Sequence, residues 1–194
     1  MKYEVKFLSD WHVGSGLGAG TETDAEVLKT EKNHPYIPGK TVKGLLKDAL
    51  FEMPENQTDR GLVDTLFGWE ERDEKGKVIR THSGTLYFSN ATIGEEEQRE
   101  ITSELADFLY RNISSTQINE KGVAKNNSLR TMEVCMPVTL FGEIKKFKEG
   151  IETEMTSDEK ELVEKALKWT RRLGINRNRG LGRCQFVELK NESK

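Results

Sequence analysis

Apolar and polar residues alternate from the start of the chain: Tyr3, Val5 and Phe7 fall on one side of residues 2–8, with charged side chains on the other. A period of two is that of a half-buried strand. After Pro38 and Gly39 the period lengthens. Val42, Leu45, Leu46, Ala49 and Leu50 recur at helical spacing, Lys40, Lys43 and Lys47 take the opposite face, and Pro54 stops the helix. Leu86 and Phe88 alternate again in SGTLYFSNA, and TMEVCMPVTLFGEIKKF predicts a further strand, with Pro137 marking an edge or bulge. Thr156 and Glu159 match a capping box, after which Leu162, Val163, Ala166, Leu167, Thr170 and Leu173 keep helical spacing until Gly174. RCQFVELK supplies a last strand. The order βαββαβ predicts an α+β, ferredoxin-like (RRM-like) fold.

Two stretches fall outside that order. Between about 55 and 83 only Leu62, Val63, Leu66, Phe67 and Trp69 form an apolar cluster, which predicts a short helix and then a loop or hairpin. Between about 95 and 131, ITSELADFLY predicts another short helix, followed by a polar excursion over 111–131. At 194 residues the chain predicts a single domain, 1–194, bearing these two insertions. Gly14, Gly16, Gly18 and Gly20 stand at every second position, a density that excludes regular structure and predicts a long loop after the first strand.

Composition narrows the function. Charged residues make up 32% of the chain, and no apolar run approaches the roughly 20 residues that cross a bilayer, so no membrane partner is expected. The N-terminus lacks the apolar stretch of a signal peptide, which predicts a cytoplasmic location. Cys135 and Cys184 belong to no CxxC or Cys/His cluster and read as reduced core thiols; three scattered histidines argue against a zinc site. A formal charge of −3 argues against a uniformly basic nucleic-acid binder. Its distribution is uneven, however: Lys168, Arg171, Arg172, Arg177, Arg179 and Arg183 fall in a stretch with no acid, while Glu70 to Glu74 and Glu95 to Glu104 are mainly acidic.

Three motifs carry candidate chemistry. PGKT resembles the end of a nucleotide-binding phosphate loop, but His34 stands where the loop's first glycine is required, which excludes that reading. A helix starting at Gly39 still presents free backbone N–H groups, and Lys40, Thr41, Lys43 and Lys47 extend a surface suited to phosphate; the same spacing also describes an ordinary solvated helix face. GINRNRGLG joins Gly174, Gly180 and Gly182 to Asn176, Arg177, Asn178 and Arg179, so its backbone can approach phosphates while two guanidiniums clamp them. Its alternative is a plain connection after a glycine helix stop. His12 reads as a packed histidine that fixes the first glycine loop, and His34 and His82 as loop residues with no acid–base partner. For Trp11, Trp69 and Trp169, core or interface packing is the expectation rather than base stacking.

A C-terminal glycine-rich loop of this kind on ferredoxin-like strands resembles the RAMP superfamily of CRISPR effector subunits. WHVGSG, PYIPGKTVKGLLKDAL, the Leu66–Gly68 LFG, SGTLYFSNA and NSLRTMEVCMPVTLFGEI resemble, in that order, the backbone subunit of type III effectors over most of residues 1–187. The resemblance implies a subunit that polymerises with copies of itself and other effector subunits along a CRISPR RNA guide, paired with complementary target RNA. It also implies a protruding hairpin, matched here by 111–131, that kinks the guide. RNA contacts are then expected at Gly14, Ser15, Gly16, Arg111 and Arg130 as well as at the helix lysines and the second glycine loop.

In the catalytic backbone subunits an aspartate after the first strand, ahead of the YIPG element, cuts target RNA, and Asp24 occupies the matching place; Asp10 and Glu26 fit less well. The chemistry implied is attack of a ribose 2′-hydroxyl on the adjacent phosphate, helped by a divalent ion (Mg or Mn), with Asp24 either binding that ion or orienting the hydroxyl. Three alternatives remain at this point: a non-catalytic RAMP scaffold, a guide-processing RAMP endonuclease, and an acidic protein-interaction module with no RNA affinity.

Overall fold

The computed structural model describes residues 1–14, 25–54 and 58–189. The opening alternation forms β1 (Lys2–Phe7), with Tyr3, Val5 and Phe7 buried. β2 (Tyr36–Ile37) leads through Pro38 into α1 (Gly39–Glu52), which buries Val42, Leu46, Ala49 and Leu50. The first insertion holds α2 (Arg60–Phe67), capped by the Asp59 side chain, and a hairpin of β3 (Gly68–Arg72) and β4 (Val78–Ser83). β5 (Leu86–Phe88) and β6 (Ala91–Thr92) follow. The second insertion comprises α3 (Glu95–Glu100), α4 (Ser103–Ala106), a 3-10 turn and a hairpin of β7 (Tyr110–Ser115) and β8 (Arg130–Cys135). The chain then runs through β9 (Thr139–Lys148), β10 (Ile151–Thr153), α5 (Ser157–Trp169) and β11 (Cys184–Leu189).

β1 lies between β11 and β9, antiparallel to both, and β9 pairs in turn with β5, β6 and β10. Taking β1, β5, β9 and β11 as the four core strands, their spatial order is fourth, first, third, second. That is the ferredoxin-like arrangement expected from the βαββαβ pattern. α1 and α5 pack on one face, where Leu46, Leu50, Val163, Ala166 and Leu167 meet Tyr3, Val5, Leu140 and Phe186 in one core.

Two elements end earlier than their periodicity suggests. The stretch 131–147 is two strands rather than one: the chain breaks at Met136–Val138, and β8 joins the β7 hairpin while β9 enters the main sheet. Proline has no N–H to give a ladder and restrains the residue before it, so Pro137 becomes a corner between sheets and the insertion extends to Cys135. α5 stops at Trp169 instead of reaching Gly174. Leu173 stays buried, which preserved the helical spacing, but its N–H donates to Gly182 O (2.9 Å) and the Cys184 N–H to Arg171 O (3.0 Å), so residues 171–173 run as an extended strand edge. Backbone donors freed from the helix are taken up across the loop.

Both cysteines are buried free thiols, and burial pushes Cys184 up to about 12, so it stays a neutral core group at physiological pH.

Candidate nucleic-acid interface

The end of β1 and the segment after α5 are sewn together by main-chain hydrogen bonds. The Gly182 N–H donates to Asp10 O (2.7 Å), the Ile175 N–H to His12 O (2.9 Å) and the Leu8 N–H to Arg183 O (2.8 Å). This approach needs glycine. Gly174 and Gly182 have φ of +97° and +68°, and a Cβ on them would lie 2.3 Å from His12 O and 1.9 Å from Leu173 O. The start of the first glycine-bearing loop is therefore a neighbour of the second, and Ile175 to Gly180 stand exposed beside it. Ser15, Gly16 and Asp24 lie outside the described residues, so the first loop is seen only at Gly14 and again from Ala25.

His12 is the buried post under this joint. Its Nδ1 lies 2.6 Å from Glu133 O, and because a carbonyl only accepts, Nδ1 carries the proton. A Cβ on Gly14 would sit 2.9 Å from the ring, so the glycine lets the loop lie against the imidazole. Glu133, in β8, also holds Lys29 at 2.7 Å and accepts from the Val27 N–H at 3.0 Å, which ties the return of the first loop to the β7–β8 hairpin. Sequence patterns gave no sign of this role for Glu133.

The basic residues divide into free and engaged groups. Of the six between Lys168 and Arg183, only Lys168 has a carboxylate partner among the described residues, Glu164 at 3.1 Å. Arg177 and Arg179 are exposed, as are Asn176 and Asn178, and Arg172 donates to Arg177 O (3.2 Å), bracing the loop from within. A cavity of about 340 Å³ lies between this loop and α1, with Arg171, Arg172 and Arg177 along one wall and Asp48 and Glu52 on another. Phosphate is thus welcome on the arginine side and repelled on the α1 side of that cleft.

The lysines of α1 are less free than an open helix face would make them. Lys40 is exposed, but Lys43 donates to Leu86 O (2.8 Å) and Lys47 to Gly68 O (2.5 Å), because the α2–β3 corner and β5 pack along this face and leave carbonyls to be satisfied. Burial, with the neighbouring Lys47 charge adding to it, holds the Lys43 ammonium below its usual pKa. Thr41 is half-buried. Arg111 is bound through Nε (2.8 Å) and Nη2 to the Asp10 carboxylate, locking the base of the β7–β8 hairpin to the first loop, while Arg130 is exposed at the start of β8. Arg111 is thus a strut whose charge Asp10 already answers.

The aromatic residues part ways as well. Trp11 is fully buried and stacks on Phe7 at 4.3 Å, whereas Trp69 and Trp169 are 41% and 47% exposed. His34 is buried and its Nε2 lies 2.8 Å from Ile101 O; His82 is a strand residue of β4, not a loop residue.

A ferredoxin-like sheet, the start of one glycine-bearing loop set against a second that exposes its arginines, and a β-hairpin tied to them by Asp10–Arg111 together present donors suited to an anion. The family model of the RAMP superfamily matches residues 4–185, and the chain belongs to that superfamily. In fold it is similar to a chain of the cryo-EM structure of the Type III-B Cmr-beta bound to cognate target RNA (TM-score 0.71, 11% identity, 95% of each chain covered). It is also similar to a chain of the Type III-B Cmr-beta in its apo state (TM-score 0.68, 13% identity, 98% of this chain and 97% of that one). No curated protein matches it by sequence.

Proposed function

We propose that this protein is a backbone subunit of a type III CRISPR effector complex, holding guide RNA across its joined glycine loops and cutting the paired target RNA through Asp24. The observation that carries the RNA-holding part is the 2.9 Å hydrogen bond between Ile175 N and His12 O, which sets the two loops side by side with Arg177 and Arg179 exposed. Backbone amides of a glycine-rich turn and two unpaired guanidiniums are the donor set that phosphates require. The similar Cmr-beta structure is bound to cognate target RNA, which supports the same ligand class here.

The β7–β8 hairpin, braced at its root by Asp10–Arg111 and exposed from Gln117 to Asn127 apart from Asn119, has the form of a wedge between nucleotides. Asp24 enters on the family resemblance alone. Among the described residues no three His, Cys, Asp or Glu gather as a metal-binding group; a divalent ion at Asp24 enters on the same resemblance, and no step is assigned to it.

The test is to purify the protein with its native partners, sequence the RNA that accompanies it, and assay cleavage of a complementary target by wild type and Asp24→Ala. Guide of repeat-derived 5′ end in both, with cutting lost in the variant, is the expected result. Undiminished cutting rejects the catalytic role and leaves a scaffold; absence of guide RNA rejects the whole reading.

A further inference from the structure

A neighbouring face of α1 carries a second surface, built with the β3–β4 hairpin of the first insertion. Trp69 and His82 are cross-strand partners there, and their rings stack with centroids 4.1 Å apart and planes 4° apart. With one face of the indole covered by the imidazole, Trp69 is still 41% exposed and lines the cavity beside α1. Phe51, itself 45% exposed, lies under Lys47 at 5.5 Å and under Arg60 at 4.6 Å. Cations and aromatic rings therefore alternate from Arg60 through Phe51 and Lys47 to Trp69.

The two lysines make this more than a packed corner. Each ammonium has three N–H donors, and each gives one to a main-chain carbonyl, Leu86 O or Gly68 O. Among the described residues neither has a carboxylate partner, although they stand near enough to oppose each other's charge. An anion is what the pair lacks. A cavity of about 680 Å³ lies beside them, bounded by Lys43, Lys47, Phe51, Trp69 and His82, with Asp64 and the Arg72-paired Glu70 also on its wall, and it has the size of a small-ligand site.

We propose that Trp69, backed by His82, is a stacking platform for a base of single-stranded RNA whose phosphates lie against Lys43 and Lys47. The proposal rests on the reading that this protein binds RNA and adds a subsite separate from the glycine loops. Only an unpaired strand offers a free base face to an aromatic ring. The hairpin's own charges favour a single strand over a duplex, since Glu70, Glu71, Asp73 and Glu74 are matched by Arg72, Lys75, Lys77 and Arg80 and leave no net basic rail. A cross-strand aromatic pair also steadies a hairpin, but that role requires neither a partly exposed indole on a cavity wall nor two ammoniums without a carboxylate partner.

The test uses the full chain carrying Trp169→Phe, so that Trp69 and the buried Trp11 are the remaining tryptophans. A short adenine oligonucleotide and the same sequence as duplex are titrated against it. The expected result is saturable quenching of Trp69 emission by the single strand, and an affinity that Trp69→Ala lowers about 5- to 150-fold, the loss typical of one base–aromatic stack. Trp69→Phe, which keeps a ring, stays within about threefold, and melting curves report folding. Should the alanine variant unfold, Trp69→Leu takes its place, with the same loss expected. Unchanged affinity in the ring-less variant, or unquenched Trp69 emission at saturation, overturns the platform. If binding then still weakens in Arg177→Ala/Arg179→Ala, the RNA reading survives without it; if no salt-sensitive RNA affinity exists at all, both fail.

Discussion

Replacing Gly182 by alanine separates two costs that the glycine loop imposes, and Gly180 supplies the control. Both have positive φ, +95° at Gly180 and +68° at Gly182, so an alanine at either enters the left-handed region at about 1–2 kcal/mol. At Gly180 nothing lies within 4 Å of the added Cβ, and that is the whole cost. At Gly182 the Cβ would stand 1.9 Å from Leu173 O, a main-chain atom that cannot swing aside. Relief requires opening the pairing across the loop, which sacrifices Leu173 N–H to Gly182 O and Gly182 N–H to Asp10 O. At about 0.5–1.5 kcal/mol each, these two bonds bring Gly182→Ala to roughly 2–5 kcal/mol. Denaturant unfolding of both variants measures the totals, and hydrogen exchange at the Leu173 and Ile175 amides locates the difference. Equal destabilisation within about 0.5 kcal/mol, with both amides still protected, would refute the claim that close approach rather than φ makes Gly182 necessary.

Two other predictions bear on charge. Arg177→Ala/Arg179→Ala should reduce the slope of log affinity against log salt for single-stranded RNA by about 1.4, at roughly 0.7 per phosphate contact, while leaving the melting temperature unchanged; an unaltered slope means that neither arginine meets phosphate. Burial alone would raise the Glu159 carboxyl, yet hydrogen bonds from Lys146 (2.7 Å) and the Thr156 amide (2.8 Å) outweigh it and hold Glu159 below the carboxylate range. A depressed folded pKa adds stability that is complete above the unfolded value, near 4.5, and is lost as pH falls through the folded one. Glu159→Gln should therefore be less stable at neutral pH and show a shallower acid limb in unfolding free energy against pH; parallel acid limbs would contradict this.

What sequence reading recovers is what local periodicity encodes. The βαββαβ order, α1 and the capped start of α5 were all legible because each depends on residues close together along the chain. The misreadings share one cause: a long-range partner replaces the local pattern. Leu173 kept helical spacing but is buried as part of an extended edge paired with Gly182. The stretch through Pro137 keeps strand character on both sides while its halves enter different sheets. The partners that Lys43, Lys47 and Arg111 already hold, Leu86 O, Gly68 O and Asp10, were out of view of any local pattern, because they lie 43, 21 and 101 residues away. Trp69 and His82 were separable only as isolated residues, since a stack across a hairpin depends on a register that composition does not fix.

Net charge misleads for the same reason that local counts do. A protein with three more acids than bases still offers five arginines, from Arg171 to Arg183, without a carboxylate partner among the described residues. The acids are spent elsewhere: Glu161 and Glu164 on Lys165 and Lys168 along α5, Glu95 on Arg99 in α3, Glu70 on Arg72 in the first hairpin, Glu133 and Asp10 on the struts that hold the first loop. The exposed pairs of the helices and the first hairpin contribute little stability each, about 0–1 kcal/mol; their larger effect is on the field. By cancelling charge within helices and hairpins, they leave the glycine loop as a place where several positive charges stand uncompensated among the described residues. Over a screening length of about 8 Å, that loop governs what approaches it more than the distant total does. The remaining acids near it, Asp48 and Glu52, lie on the α1 wall of the cleft and bias an incoming phosphate chain toward the arginine side. On the proposed reading, polarity across this one cleft is what orients an RNA on a protein whose overall charge would repel it.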